Sequence, residues 1–188
     1  MPSMSRPPKA REPLLAAALR LFVERGIDGT GIREVAREAG VSEAALYRYW
    51  ASKDILVREL YTEHLIEVVR LMDAAVDGAA GIEEAITRAV IAIYEVFDQD
   101  PLVFRFVLLA QADVRLIPAA GVRTPLDVVT DLAQRAAPPD VDHRHLAAAW
   151  VGLFLQTAQH VLLGRLPPPL SAHAGPVTLL ALRLTARP

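Results

Sequence analysis

Thr30–Leu56 reads TGIREVAREAGVSEAALYRYWASKDIL. Ala36 is followed after four residues by Gly40 and after six more by Leu46. Each position has a physical reason. Ala36 is small where two helices cross closely, and Gly40 can take the left-handed backbone that a tight interhelical turn requires. Leu46, with Val41 and Trp50, points back into a small core. Glu43, Ala44, Tyr47 and Arg48 are left on the opposite face. This is helix-turn-helix spacing, and a short helix presenting such a face can lie in a major groove.

The surrounding chain extends the helical reading. Leu15, Ala18, Leu19 and Phe22 form one stripe on a first helix over residues 12–25, with Pro13 tolerated in its first turn and Gly26 and Gly29 ending it. Thr30 is a candidate N-cap for a second helix over 31–39, whose inner face carries Ile32, Val35, Ala36 and Ala39. Ser42 caps a third helix to about residue 49, and Ser52 a long fourth over 53–76. Further helices are expected over 82–97, 101–112, 125–136, 141–163 and 176–185. No proline occurs between Leu14 and Asp100, the chain holds 31 alanines, and no alternating strand pattern appears. The expected fold is all-α with about nine helices. A three-helix head over residues 1–52 opens with a flexible basic arm (1–10), a helical bundle follows over 53–188, and the boundary lies near 52–60 in the fourth helix.

Composition narrows the function. The chain has 188 residues, 53% of them hydrophobic and 22% charged, a net charge of −2 and no cysteine. Cysteine nucleophiles, disulfide scaffolds and Cys-ligated metals are excluded. Residues 1–60 carry ten Lys/Arg against eight Asp/Glu and the remainder ten against fourteen, so the front is mildly basic and the back acidic. Met1–Arg11 lacks an apolar stretch and is not a secretory signal. Leu146–Gly164 has no Asp, Glu, Lys or Arg, but Gln156, Thr157, Gln159 and His160 lie close together in it. A helix buried in protein or in a subunit interface is the expected reading, with no membrane partner and a cytoplasmic location. Asp140, Asp142, His143 and His145 suggest a metal at first sight. Histidines at i and i+2 on a helix point apart, so helix capping by the aspartates is expected and no metal or other cofactor. No catalytic set can be assembled, and an enzyme is not expected.

Leu14–Gly26 (LLAAALRLFVERG) and Thr30–Leu56 resemble the N-terminal domain of TetR-family transcriptional regulators. The most specific part is AGVS, three residues, LY, two residues, then an aromatic and SKD. The resemblance covers about the first third of the chain, with Trp50 where the family usually has Phe. It implies that Thr30 and Arg33 open the second helix against DNA, and that Ser42, Glu43 and Ala44 open the recognition helix. It also implies that Tyr47 and Tyr49 contact phosphates and that Lys53 binds one. Arg48 shares the reading face. Glu43 either accepts from a cytosine amino group or keeps non-specific binding weak.

The resemblance further implies an effector pocket built from aromatic and polar residues of the C-terminal bundle. The candidates are Tyr94, Phe97, Phe104, Arg105, Gln111, Trp150, Phe154, Gln156 and His160, all of which also suit a core. Arg105, within the apolar run LVFRFVLL, could face an anionic ligand or lay its stem on apolar surface. The last two helices carry more apolar surface than one bundle covers, so they are expected to pair two chains. The expected protein is a homodimeric repressor on a palindromic operator in double-stranded DNA, released by a small-molecule effector. The alternative is a DNA-binding regulator or architectural protein without an effector.

Overall fold

The computed structural model describes residues 10–109, 116–119 and 121–185. Among these, nine α-helices and no strand are found. They are α1 (Arg11–Arg25), α2 (Ile32–Glu38), α3 (Glu43–Tyr47), α4 (Lys53–Val76), α5 (Ile82–Gln99), α6 (Pro101–Phe104), α7 (Pro125–Ala136), α8 (His143–Leu162) and α9 (Ala174–Arg183). The expected arm, residues 1–10, lies outside the described residues but for Ala10.

The chain divides into two compact units. One holds the described residues up to Glu63 with Leu116 and Ile117, and the other the remaining described residues from His64. In the first, α1 packs on α2 and α2 on α3. Leu14, Ala18, Phe22, Val35, Ala36, Leu46, Trp50, Leu56 and Val57 fill the core. The turn between α2 and α3 bends at Gly40, whose φ of 69° lies in the left-handed region. Leu46 and Trp50 are buried as the spacing requires, while Val41 is half-buried.

Two local readings are corrected here. The buried residues of α1 are Leu14, Ala17, Ala18, Leu19, Leu21 and Phe22, so three of the four expected stripe residues are buried and only Leu15 is half-buried. Neighbouring stripes on an alanine-rich helix differ by one residue, and contact with α2 selects between them. The N-cap of α2 is Gly31 rather than Thr30. Gly31 donates its N–H to Glu34 at 2.9 Å, which holds the Glu34 carboxyl below its usual pKa. Ser42 and Ser52 do cap, with Oγ accepting from Ala45 N–H (3.2 Å) and Ile55 N–H (3.3 Å).

In the second unit α7 packs on α8, and α5 lies against α7, α8 and α9. Leu65, Val68, Met72, Ile86, Val90, Leu132, Trp150 and Ala181 are buried there. Asp142 caps α8, its carboxylate accepting from Arg144 N–H at 2.8 Å. The Arg144 guanidinium binds the same carboxylate and holds it well below the usual range. The helix expected over 101–112 is instead the short α6 followed by a π-turn, Arg105–Leu109, and residues 110–112 lie outside the described residues. The last helix starts earlier than expected, at Ala174, behind a 3₁₀ turn over Leu170–His173.

Candidate nucleic-acid interface

A five-residue helix is too short to stand alone. α3 is held by the Ser42 cap and by Ala45, Leu46 and Trp50, all turned inward. Its other side faces solvent. Ser42, Ala44, Tyr47 and Arg48 are exposed, Tyr47 at 48%. Tyr49 is half-buried, its ring 5.4 Å from that of Trp50. The sequence-selected reading residues are thus brought to one end of the head, with Arg48 carrying no ion pair among the described residues.

Arg33, near the start of α2, reaches across to α3 and donates from Nε to Glu43 Oε2 at 3.1 Å. Two residues expected to meet DNA therefore meet each other. Other cations of the head are also engaged. Arg20 pairs with Glu38, and Arg25 with Glu34 at 3.0 Å. Arg11 pairs with Glu59 at 2.6 Å and with Glu63, and its guanidinium carbon sits 6.0 Å from the centre of the Trp50 ring. Arg37 is exposed and without an ion pair among the described residues. It lies four residues after Arg33 and hence on the same helical face, a signal the sequence held but that motif matching passed over.

Thr30 and Lys53 occupy unexpected places. Thr30 is 1% exposed, and its hydroxyl donates to the carbonyls of Gly26 (2.9 Å) and Leu21 (3.2 Å). The hydroxyl closes the turn between α1 and α2 and is not turned to solvent. Lys53, half-buried at the start of α4, donates from Nζ to the carbonyls of Ile27 (3.0 Å) and Thr30 (3.2 Å). An ammonium has three N–H donors and two are taken by this turn. Lys53 thus ties α4 to the loop that Thr30 closes.

Five of the ligand candidates, Tyr94, Phe97, Phe104, Trp150 and Phe154, are buried in the second unit. Tyr94 is buried and its hydroxyl donates to the Phe154 carbonyl at 3.2 Å, and burial pushes its pKa up to about 12. Phe97 meets Phe104 edge-on at 5.1 Å, and Trp150 donates its indole N–H to the Ala181 carbonyl at 3.0 Å. Arg105 is half-buried in the π-turn. Gln156 and His160 are exposed on α8, so they do not line the interior with Trp150 and Phe154. Gln111 lies outside the described residues. A void among Met72, Ile86, Ala89, Val90, Ile93, Val129, Leu132, Trp150 and Phe154 measures about 20 Å³. That is room for about one water, and its lining is apolar. Among the described residues no cluster of three metal-ligating side chains occurs, and no helix is long and apolar enough to cross a membrane.

The family described as "Bacterial regulatory proteins, tetR family" matches residues 14–60. The HTH-type transcriptional repressor KstR2 of Mycolicibacterium smegmatis is 29% identical over 94 residues, covering 50% of this chain and 46% of that one. The HTH-type transcriptional activator FasR of the same organism is 26% identical over 157 residues, covering 81% and 72%. The chain thus spans about half the length of KstR2 and of several other curated relatives that it matches. A crystal structure of the transcriptional regulator FadR from Bacillus subtilis in complex with stearoyl-CoA superposes with a TM-score of 0.78. It covers 92% of this chain and 98% of that one at 15% identity. A putative tetR family transcription regulator from Shewanella sp. PV-4 gives a TM-score of 0.74 at 18% identity, covering 95% and 96%. At these identities the structural matches speak for the fold.

Proposed function

We propose that this chain, which belongs to the TetR family of bacterial regulatory proteins, binds double-stranded DNA as a homodimer and represses transcription until a small-molecule effector releases it. The observation that carries the reading is the outward face of α3: Ser42, Ala44, Tyr47 and Arg48 open to solvent on a helix whose other side is locked into the core. Residues 1–52 serve as the reading head, and 53–188 as the effector-binding and dimerisation part. Ser42, Tyr47, Arg48 and Tyr49, joined by Arg37, meet the duplex, and Lys53 offers its remaining N–H to a phosphate. The protein acts in the cytoplasm, by binding and not by catalysis.

A single small head makes a small contact. Two heads on a twofold axis double it and call for a palindromic operator, with half-site centres ~34–36 Å apart when successive major grooves are used. The outward faces of α8 and α9 support pairing there. Leu162, Leu163, Leu179, Leu180 and Leu184 are each 40–64% exposed, beside a helix without Asp, Glu, Lys or Arg from Leu146 to Gly164. The exposed Gln156 and His160 belong to that face. The effector enters the apolar core of the second unit around Trp150 and Phe154. A ligand site of the usual size, about 300–1,000 Å³, requires the void there to open, so the effector selects an expanded conformer. Coupling of about 1–3 kcal/mol between the two conformers changes DNA affinity roughly 5- to 150-fold.

The test is duplex binding measured against salt. A mixed-sequence duplex and a site selected by the protein from a random pool are compared across ionic strengths. The logarithm of affinity should fall with the logarithm of salt by about 0.9 per neutralised phosphate. Tyr47→Ala and Arg48→Ala should weaken the selected site while leaving the fold intact. A flat salt response in the wild-type protein rules the reading out.

A further inference from the structure

Arg33 and Glu43 stand ten residues apart, one on each helix of the helix-turn-helix, and both belong to the face proposed to meet DNA. Only one guanidinium nitrogen of Arg33 is engaged, Nε, at 3.1 Å from the carboxylate. The Arg33 side chain is 87% exposed and that of Glu43 38% exposed. A bidentate, buried pair would be a permanent strut. A single-point pair in open solvent is weak and exchanges readily, because water screens it and two long side chains lose freedom in making it. The rest of the head argues that the pairing matters. Arg20 and Arg25 are bound to carboxylates on α2, and Lys53 is spent largely on two carbonyls. Among the described residues, Arg33 is the one cation of α2 and α3 that forms an ion pair, and its partner lies on the other helix of the motif.

We infer that Glu43 is an affinity- and specificity-setting residue that competes with DNA phosphate for Arg33. It occupies the guanidinium in the free head and gives it up only when a duplex is docked closely enough to take it. This rests on the DNA-binding reading above. Loosely placed duplex competes poorly for the guanidinium, so the pair lowers binding to arbitrary sequence by the few-fold that an exposed ion pair supplies. A phosphate held in register by the α3 contacts exchanges with it.

The experiment is a double-mutant cycle on the full-length protein with Glu43→Gln, Arg33→Gln and the double variant, each checked for an unchanged melting temperature. Affinities are measured for a mixed-sequence duplex and for a pool-selected site across a salt series. Glu43→Gln should tighten mixed-sequence binding about two- to fivefold per head, the range of an exposed ion pair. It should steepen the salt slope by about one, as Arg33 becomes an uncancelled phosphate ligand. In the Arg33→Gln background the same change should do nothing. An equal gain without Arg33 means the carboxylate simply repels DNA and overturns the inference. So does loss of the selected site alone, which makes Glu43 a base reader. Wild-type protein with no salt-dependent duplex binding sinks the DNA reading itself, a result distinct from both.

Discussion

Replacing Thr30 by Val removes a hydroxyl and keeps the side-chain shape. The residue is 1% exposed, and its single hydroxyl proton is shared between the Gly26 carbonyl at 2.9 Å and the Leu21 carbonyl at 3.2 Å. A neutral intramolecular hydrogen bond contributes about 0.5–1.5 kcal/mol net, and a buried acceptor left without its donor costs about 1–3 kcal/mol. Leu21 lies within α1, where its carbonyl also faces the helical ladder, and the bond to Gly26 is only partly buried. The loss should therefore sit low in that range, at about 1–2 kcal/mol. Urea unfolding followed by circular dichroism should show a lower midpoint with an unchanged slope. Thr30→Ser should keep the hydrogen bond and lose only a methyl group. Measured where each variant is folded, duplex affinity and its salt dependence should match wild type. An unchanged urea midpoint together with duplex affinity weakened to a similar extent at every salt concentration would place the hydroxyl on DNA and refute the reasoning.

Three further outcomes follow from the structure. Gly29→Ala should destabilise more than Gly40→Ala in the same urea assay. A Cβ at position 29 would stand 2.3 Å from the Arg25 carbonyl oxygen, whereas at position 40 it meets nothing within 4 Å and costs only the left-handed backbone, about 1–2 kcal/mol. Leu179→Glu with Leu180→Glu should give a 20.5 kDa particle in sedimentation, where the wild type should run as a dimer. A dimer that persists removes α9 from the interface. Asp98→Asn should flatten the acid limb of the stability profile. Burial pushes the Asp98 pKa up, but the Ser171 hydroxyl and the N–H groups of Ser171 (2.9 Å) and Leu170 (2.7 Å) outweigh it and leave the folded value below the ordinary one. A lowered folded pKa adds stability above the unfolded value, near 3.9, and loses it as pH falls through the folded value. The wild type should therefore decline more steeply than the variant below about pH 4.

Much of the head could be read from residue order because its rules are short-range. Ala36, Gly40 and Leu46 are joined by two short helices and one turn, so their spacing alone sets which side of α3 is buried. Ser42 and Ser52 cap helices three residues away, which needs no knowledge of the remainder of the chain. The polar partners of the same residues are a different matter. The hydroxyl of Thr30 bonds nine residues back and the ammonium of Lys53 twenty-six, and Arg33 finds Glu43 ten residues on. A motif says that such groups exist, but the hydrogen bond goes to whichever acceptor the packing brings within about 3 Å. In the second unit α8 and α9 are apolar on several sides, unlike the one-sided α5 and α7. Which side of α8 and α9 turns inward is settled by neighbours far away in the chain. For that reason the outward Gln156 and His160, and a core void too small for an effector, emerged only once the helices were assembled.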